Sequence, residues 1–135
     1  MLTFEVNWLA VILGTFLNMG LGALWYGPLF GKPWMEAVGL SLDDIKNNPS
    51  KLPYPMAIFN SFIMAFMLAN VIIWADVSSL GGGMLMGVFM WIGFTGFSFG
   101  VNHAFELRSP FVWLINSGMY LVGLIIMGAV LSLWK

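Results

Sequence analysis

The chain predicts an all-α fold: a four-helix transmembrane bundle with a short helical extramembrane loop between spans one and two. Three observations carry this. Four runs, residues 6–26, 56–74, 82–103 and 111–134, are apolar and long enough, since about 20 mainly apolar residues in α-helix cross the hydrocarbon core. Charged residues make up only 8% of the chain and lie in or beside the segments between those runs. Aromatic side chains stand at the run ends, where amphipathic rings meet the membrane–water boundary: Trp8 and Trp25-Tyr26 for span one, Tyr54 and Trp74 for span two, Trp113 and Trp134 for span four.

Composition points the same way. An apolar content of 60% and a mean hydropathy of +0.90 depart far from a soluble domain, in which about 25% of residues are charged. The segments outside the spans are too short to build a second core, so residues 1–135 are read as one integral membrane domain. A net charge of −1 with five Lys and Arg argues against nucleic acid, whose phosphates demand a basic patch; the expected partner is the lipid bilayer. No cysteine is present, which excludes disulfides, thiolate metal sites and cysteine nucleophiles. With a single histidine, and that near a span end, neither a usual metal site nor a buried haem ligand is available, and no cofactor is expected.

Span one is read as a retained helix rather than a cleavable signal. Residues 1–6 contain no Lys or Arg, and Trp25-Tyr26 puts bulky rings where a cleavage site wants small residues. In the loop that follows, Pro33 suits the first turn of a helix, and Trp34, Met35, Val38 and Leu40 give an apolar side, as in an interfacial helix or a lid. After Gly39, Ser41-Leu42-Asp43-Asp44 offers an N-cap serine with an acid three residues later, a variant of the capping box. Asn47-Asn48-Pro49 ends that second short helix, and Pro53 and Pro55 stiffen the entry to span two. Span three has softer limits, set by Gly81-Gly82-Gly83 before it and by Glu106 and Arg108 after it. Lys32, Lys46, Lys51 and Arg108 lie on one side and only Lys135 on the other, so the positive-inside rule places loop 27–55 in the cytoplasm and both termini outside.

The string Leu24-Trp25-Tyr26-Gly27-Pro28-Leu29-Phe30-Gly31-Lys32, with Asn7-Trp8-Leu9-Ala10 before it and Trp34 after it, resembles the bacterial family of small membrane proteins known as domain of unknown function 1761. The likeness continues through the Gly-Phe run of span three, Asn102, Trp113-Leu114-Ile115-Asn116 and Tyr120, and covers essentially the whole length. The resemblance implies a four-span integral fold, with a bacterial inner membrane as its location. It carries no activity, and so no catalytic residue transfers from it.

Polar groups inside the spans must find partners or line water. Asn18, Asn60, Ser61, Asn102, His103, Asn116, Ser117 and Tyr120 all fall in the leaflet facing the lysine-bearing loop, whereas the opposite half has chiefly Asn7 and Asn70. In span three, Thr95, Ser98, Asn102 and Glu106 share a helical stripe, and Asn116 and Tyr120 share a face in span four. Small-residue rows at four-residue spacing mark helix contacts within or between subunits: Gly14 and Gly22 around Asn18, Gly83 with Gly87, and Gly96 with Gly100.

Three function classes fit. A binding or transport protein would use Asn18, Asn60, Asn102, His103, Glu106, Asn116 and Tyr120 around a small solute or lipid headgroup. As a transporter it would need to be a homo-oligomer to build a pathway. A structural or accessory subunit with a membrane-protein partner would use the same amides to lock its helices. An intramembrane enzyme would rely on His103 and Glu106 as acid and base, but no nucleophile motif accompanies them. The accessory or small-ligand-binding role is preferred over catalysis.

Overall fold

The computed structural model describes residues 2–135, all helix, turn and coil, with no strand among them. Helix α1 (Trp8–Leu24) starts where the Asn7 side chain accepts from the backbone N–H groups of Leu9 and Ala10, two donors that a helix start leaves unpaired. It does not stop at Tyr26 as the hydropathy window expects. Residues Trp25–Leu29 continue as a single π-helical turn with Pro28 inside it, and the Phe30 N–H reaches back five residues to the Trp25 carbonyl.

Helix α2 (Gly31–Val38) ends at Gly39, whose φ of 76° is a left-handed conformation that glycine adopts without steric cost. Helix α3 (Leu42–Lys46) carries the reciprocal cap that Ser41 and Asp44 imply: the Ser41 N–H donates to Asp44 Oδ2, and the Asp44 N–H to Ser41 Oγ.

Helix α4 (Pro53–Trp74) begins three residues earlier than hydropathy suggests, because prolines in the first turn forfeit no internal hydrogen bond. Span three, expected as one helix, is two: α5 (Leu80–Phe94) and α6 (Gly96–Phe105) meet at Thr95, which leaves helical geometry at φ −124°, ψ −61°. The break has an identifiable cause. The Trp91 ring lies across Gly96, so close that a Cβ there would come within 2.5 Å of it, and the Trp113 indole N–H donates to the Gly96 carbonyl at 2.7 Å. Helix α7 (Pro110–Leu133) closes the chain. Four helical stretches, Trp8–Leu29, Pro53–Trp74, Leu80–Phe105 and Pro110–Leu133, are long and apolar enough to span a membrane, so the chain is a multi-pass membrane protein surrounded by lipid.

Helix α7 is the central element and touches α1, α2, α4, α5 and α6. Ala10, Val11, Ala65, Leu68, Ile72, Met127 and Leu131 form the core between α1, α4 and α7. On its other side α7 meets α5 backbone to backbone. A Cβ on Gly83 would collide with the Gly128 carbonyl oxygen, one on Gly128 with the Gly83 carbonyl oxygen, and one on Gly87 with the Leu124 carbonyl oxygen. Lipid tails are as apolar as the helices, so helix association in a bilayer rests on van der Waals packing, and such close approach maximises it. Gly14 faces Ala65 and Met127, Gly22 faces Met119, and Gly100 faces the Trp113 ring. The small-residue rows are thus occupied by contacts inside one chain.

Candidate functional site

The amides and hydroxyls that share one end of the molecule do not share one site. They sort into a buried pair, a loop-anchoring network and an open groove, because each helix presents them at a different angle.

Asn18 belongs to the pair. It is buried in α1 and donates Nδ2–H to Ser61 Oγ of α4 at 2.8 Å, while Ser61 turns to the Met19 sulfur at 3.4 Å. The other amide atom, Oδ1, has no hydrogen-bond partner and lies where a Cβ on Gly123 would stand. Glycine at that position makes room for the Asn18 amide. This contact joins α1, α4 and α7 in the interior, outside the groove between α4 and α6.

Asn116, one turn nearer the loops than Tyr120, is the hub of the network. Its Oδ1 accepts from the Trp34 indole N–H at 3.0 Å and from the Tyr26 hydroxyl at 2.8 Å; its Nδ2 faces His103 Nε2 at 3.1 Å. The indole is only a donor, so the amide oxygen must face it and the amide nitrogen must face His103. His103 Nε2 therefore accepts, which puts the ring hydrogen on Nδ1, and that hydrogen donates to the Phe99 carbonyl at 2.7 Å. Trp25 adds a second tie, donating its indole N–H to the Ile115 carbonyl at 2.8 Å. The π-turn and α2 are thus fastened to α7 by three aromatic residues. The sequence places Trp25 and Tyr26 at the membrane boundary, but it does not reveal their polar ends reaching 90 residues along the chain.

Glu106 joins none of this. Helix α6 ends at Phe105, and Leu107 adopts a left-handed φ of 59° that lets the Leu107 and Arg108 N–H groups bond back to the Ala104 and His103 carbonyls. The turn leaves Glu106 exposed in an ion pair with Arg108 at 2.7 Å. His103 and Glu106, expected as a possible acid and base, are engaged with separate partners.

The groove lies between α4 and α6, with α7 as its floor and the end of α5 at its mid-membrane side, and has a volume of about 370 Å³. Its loop-side part is polar, lined by Asn60, Thr95, Ser98, Asn102 and Tyr120. Toward mid-membrane the wall changes to Met64, Met67, Met90, Phe94 and Leu124. Asn60 donates to the Tyr120 hydroxyl at 3.3 Å across the floor, and Phe99 meets the Tyr120 ring edge-on at 5.1 Å. Asn60, Met67, Phe94, Ser98 and Asn102 remain exposed, so the groove opens sideways to the surroundings of the helices. Its polar part starts about 10 Å into α4, seven residues from Pro53 at 1.5 Å per residue. The stripe Thr95, Ser98, Asn102 anticipates one wall, while Asn18, His103 and Asn116, expected in the lining, stand outside it. Helix α2, read as an interfacial helix or a lid, contributes no residue to the wall.

Among the described residues no cluster of three or more His, Asp and Glu side chains could hold a metal ion. A family model described as protein of unknown function (DUF1761) matches residues 9–132. No curated protein and no solved structure matches the chain.

Proposed function

We propose, for a chain that belongs to the DUF1761 family and crosses the membrane several times, that it binds a small amphipathic molecule in the groove between α4 and α6. The observation that carries this reading is the gradient along the groove, neutral hydrogen-bonding groups near the loops and sulfur, aromatic and aliphatic groups at mid-membrane. Polar groups at membrane depth need partners or water, and Thr95, Ser98 and Asn102 stand beside Asn60 and Tyr120 on a face open to lipid. A volume of about 370 Å³ falls within the roughly 300–1,000 Å³ typical of small-molecule sites. Lys32, Lys46, Lys51 and Arg108, in the loops on that side of the spans, support a cytoplasmic orientation of the groove's polar part.

The test separates groove from network. The full chain is reconstituted in nanodiscs with total membrane lipid and examined by native mass spectrometry. A retained adduct is expected on the wild type, lost in Asn60→Leu and kept in Asn18→Ala. Equal adducts on wild type and Asn60→Leu would contradict the reading.

A structural or accessory role is favoured for the Asn18–Ser61 pair and for the Asn116 network, both of which stand outside the groove wall. Oligomeric transport would need contact faces other than the glycine rows, since those rows meet helices of the same chain.

A further inference from the structure

Resting on the groove reading, we propose that its occupant is a lipid with an uncharged, hydroxyl-bearing head, the chemistry of an acylglycerol, rather than a phosphate- or carboxylate-bearing one. The five polar side chains of the wall are all neutral. Every Lys, Arg, Asp and Glu of the chain lies outside the four spans, so none faces the groove at the depth of Ser98 or Tyr120. An anionic head drawn to that depth would leave water without gaining a counter-charge, and an unpaired buried charge is among the costliest things a site can hold.

Hydroxyl and ester groups fit the same wall without that penalty. The Asn60 and Asn102 amides and the Thr95, Ser98 and Tyr120 hydroxyls each both donate and accept, so a head with adjacent O–H and C=O groups finds complementary partners whichever way it rotates. A head that only accepts, such as a quinone ring, would leave the acceptors of these residues unused. Below the head, Met64, Met67 and Met90 offer unbranched, polarizable side chains that adapt to a flexible acyl chain. The side opening lets the remainder of the chain lie among the surrounding lipid.

The probes are 1-myristoylglycerol and 1-myristoylglycerol 3-phosphate, which share chain and glycerol and differ by the phosphate. Binding of each to the detergent-solubilised full chain is read from the shift of thermal unfolding against concentration. The expected result is saturable stabilisation by the uncharged ester, at least tenfold weaker apparent affinity for the phosphate, and at least a tenfold loss for the uncharged ester in Asn102→Leu and in Tyr120→Phe. Tyr120→Phe keeps the ring against Phe99 and removes the hydroxyl with its bond from Asn60, so the thermal midpoint of the ligand-free variant is read beside its binding, and a binding loss with a wild-type midpoint is not a folding effect. Equal or tighter binding of the phosphate, still lost in Asn102→Leu, would overturn the uncharged head and keep the groove. No stabilisation by either probe, or stabilisation unchanged in both variants, would overturn the groove itself.

Discussion

The two flanks of α7 solve the same problem in opposite ways. Against α5 the contact is backbone-close, set by Gly83, Gly87 and Gly128; toward α4 and α6 the loop-side half stays open, walled by Asn60, Ser98 and Asn102, with Phe94 from the end of α5. Span three passes from one regime to the other within a single crossing. The change falls between Gly87 and Thr95: Met90 and Phe94 of α5 already line the groove, and the Trp91 ring over Gly96 with the Trp113 bond to the Gly96 carbonyl then separates α5 from α6. Residue size decides which flank closes: glycine admits a neighbouring backbone, whereas amides, methionines and phenylalanines hold helices apart and leave volume between them.

The largest way to break this contrast is to fill the closed flank. Gly87→Leu must push α5 off the Leu124 carbonyl, and overpacking costs about 1–3 kcal/mol or more, so a pronounced fall in the thermal midpoint is expected. Gly20→Ala is the counter-experiment. Nothing lies within 4 Å of a Cβ there, and alanine in a helix interior gains about 0.5–1 kcal/mol over glycine, so the midpoint should hold or rise. Equal losses in the two variants would mean that close approach at Gly87 is not what joins α5 to α7.

Next in size is the network on Asn116. Asn116→Leu strips the Trp34 indole, the Tyr26 hydroxyl and His103 Nε2 of their shared partner, and each group left unpaired away from water costs about 1–3 kcal/mol, with buried His103 the most affected and exposed Tyr26 the least. Faster hydrogen exchange across α2 should accompany it, with α5 unchanged. Ser61→Ala should cost less, since it unpairs a single group, the buried Asn18 amide: about 0.6 kcal/mol for the interhelical bond, rising to about 1–3 kcal/mol where nothing replaces it.

The smallest effect is confined to α3. The Ser41 backbone N–H, and then its side chain, hold the fully exposed Asp44 carboxyl below its ordinary value of 3.8. A carboxylate with a lowered value in the folded state contributes its cap above 3.8 and loses it as pH falls through the lowered value. Amide exchange at Ile45 and Lys46 should therefore speed up, beyond the ordinary pH trend, only in strong acid. Asp44→Asn should remove that response.

Much of this architecture is legible in the chain. The spans follow from runs of apolar residues, and the Ser41 and Asp44 cap follows from spacing alone, because both depend on neighbours within a few residues. The π-turn at Trp25–Leu29 and the break at Thr95 escape the same reading. Each joins a local cause, Pro28 without an N–H and the Trp91 ring over Gly96, to a partner the sequence does not reveal, the Ile115 carbonyl for the Trp25 indole and the Trp113 indole for the Gly96 carbonyl. The loop-side clustering of amides is visible, yet depth alone does not tell a buried weld such as Asn18 from a groove wall such as Asn60. That distinction rests on rotation about each helix axis, and it is fixed by packing against α7.

Thiol accessibility tests the open groove most directly, since the chain has no cysteine of its own. Ser98→Cys, on the groove wall, and Ser117→Cys, buried in α7 with its hydroxyl on the Trp113 carbonyl, are compared in vesicles with a small methanethiosulfonate reagent that reacts through the hydrated thiolate. The groove predicts rapid modification at 98 and almost none at 117. Equally inert thiols at both positions would show that water does not reach the wall at 98 and would contradict an open, hydrated groove.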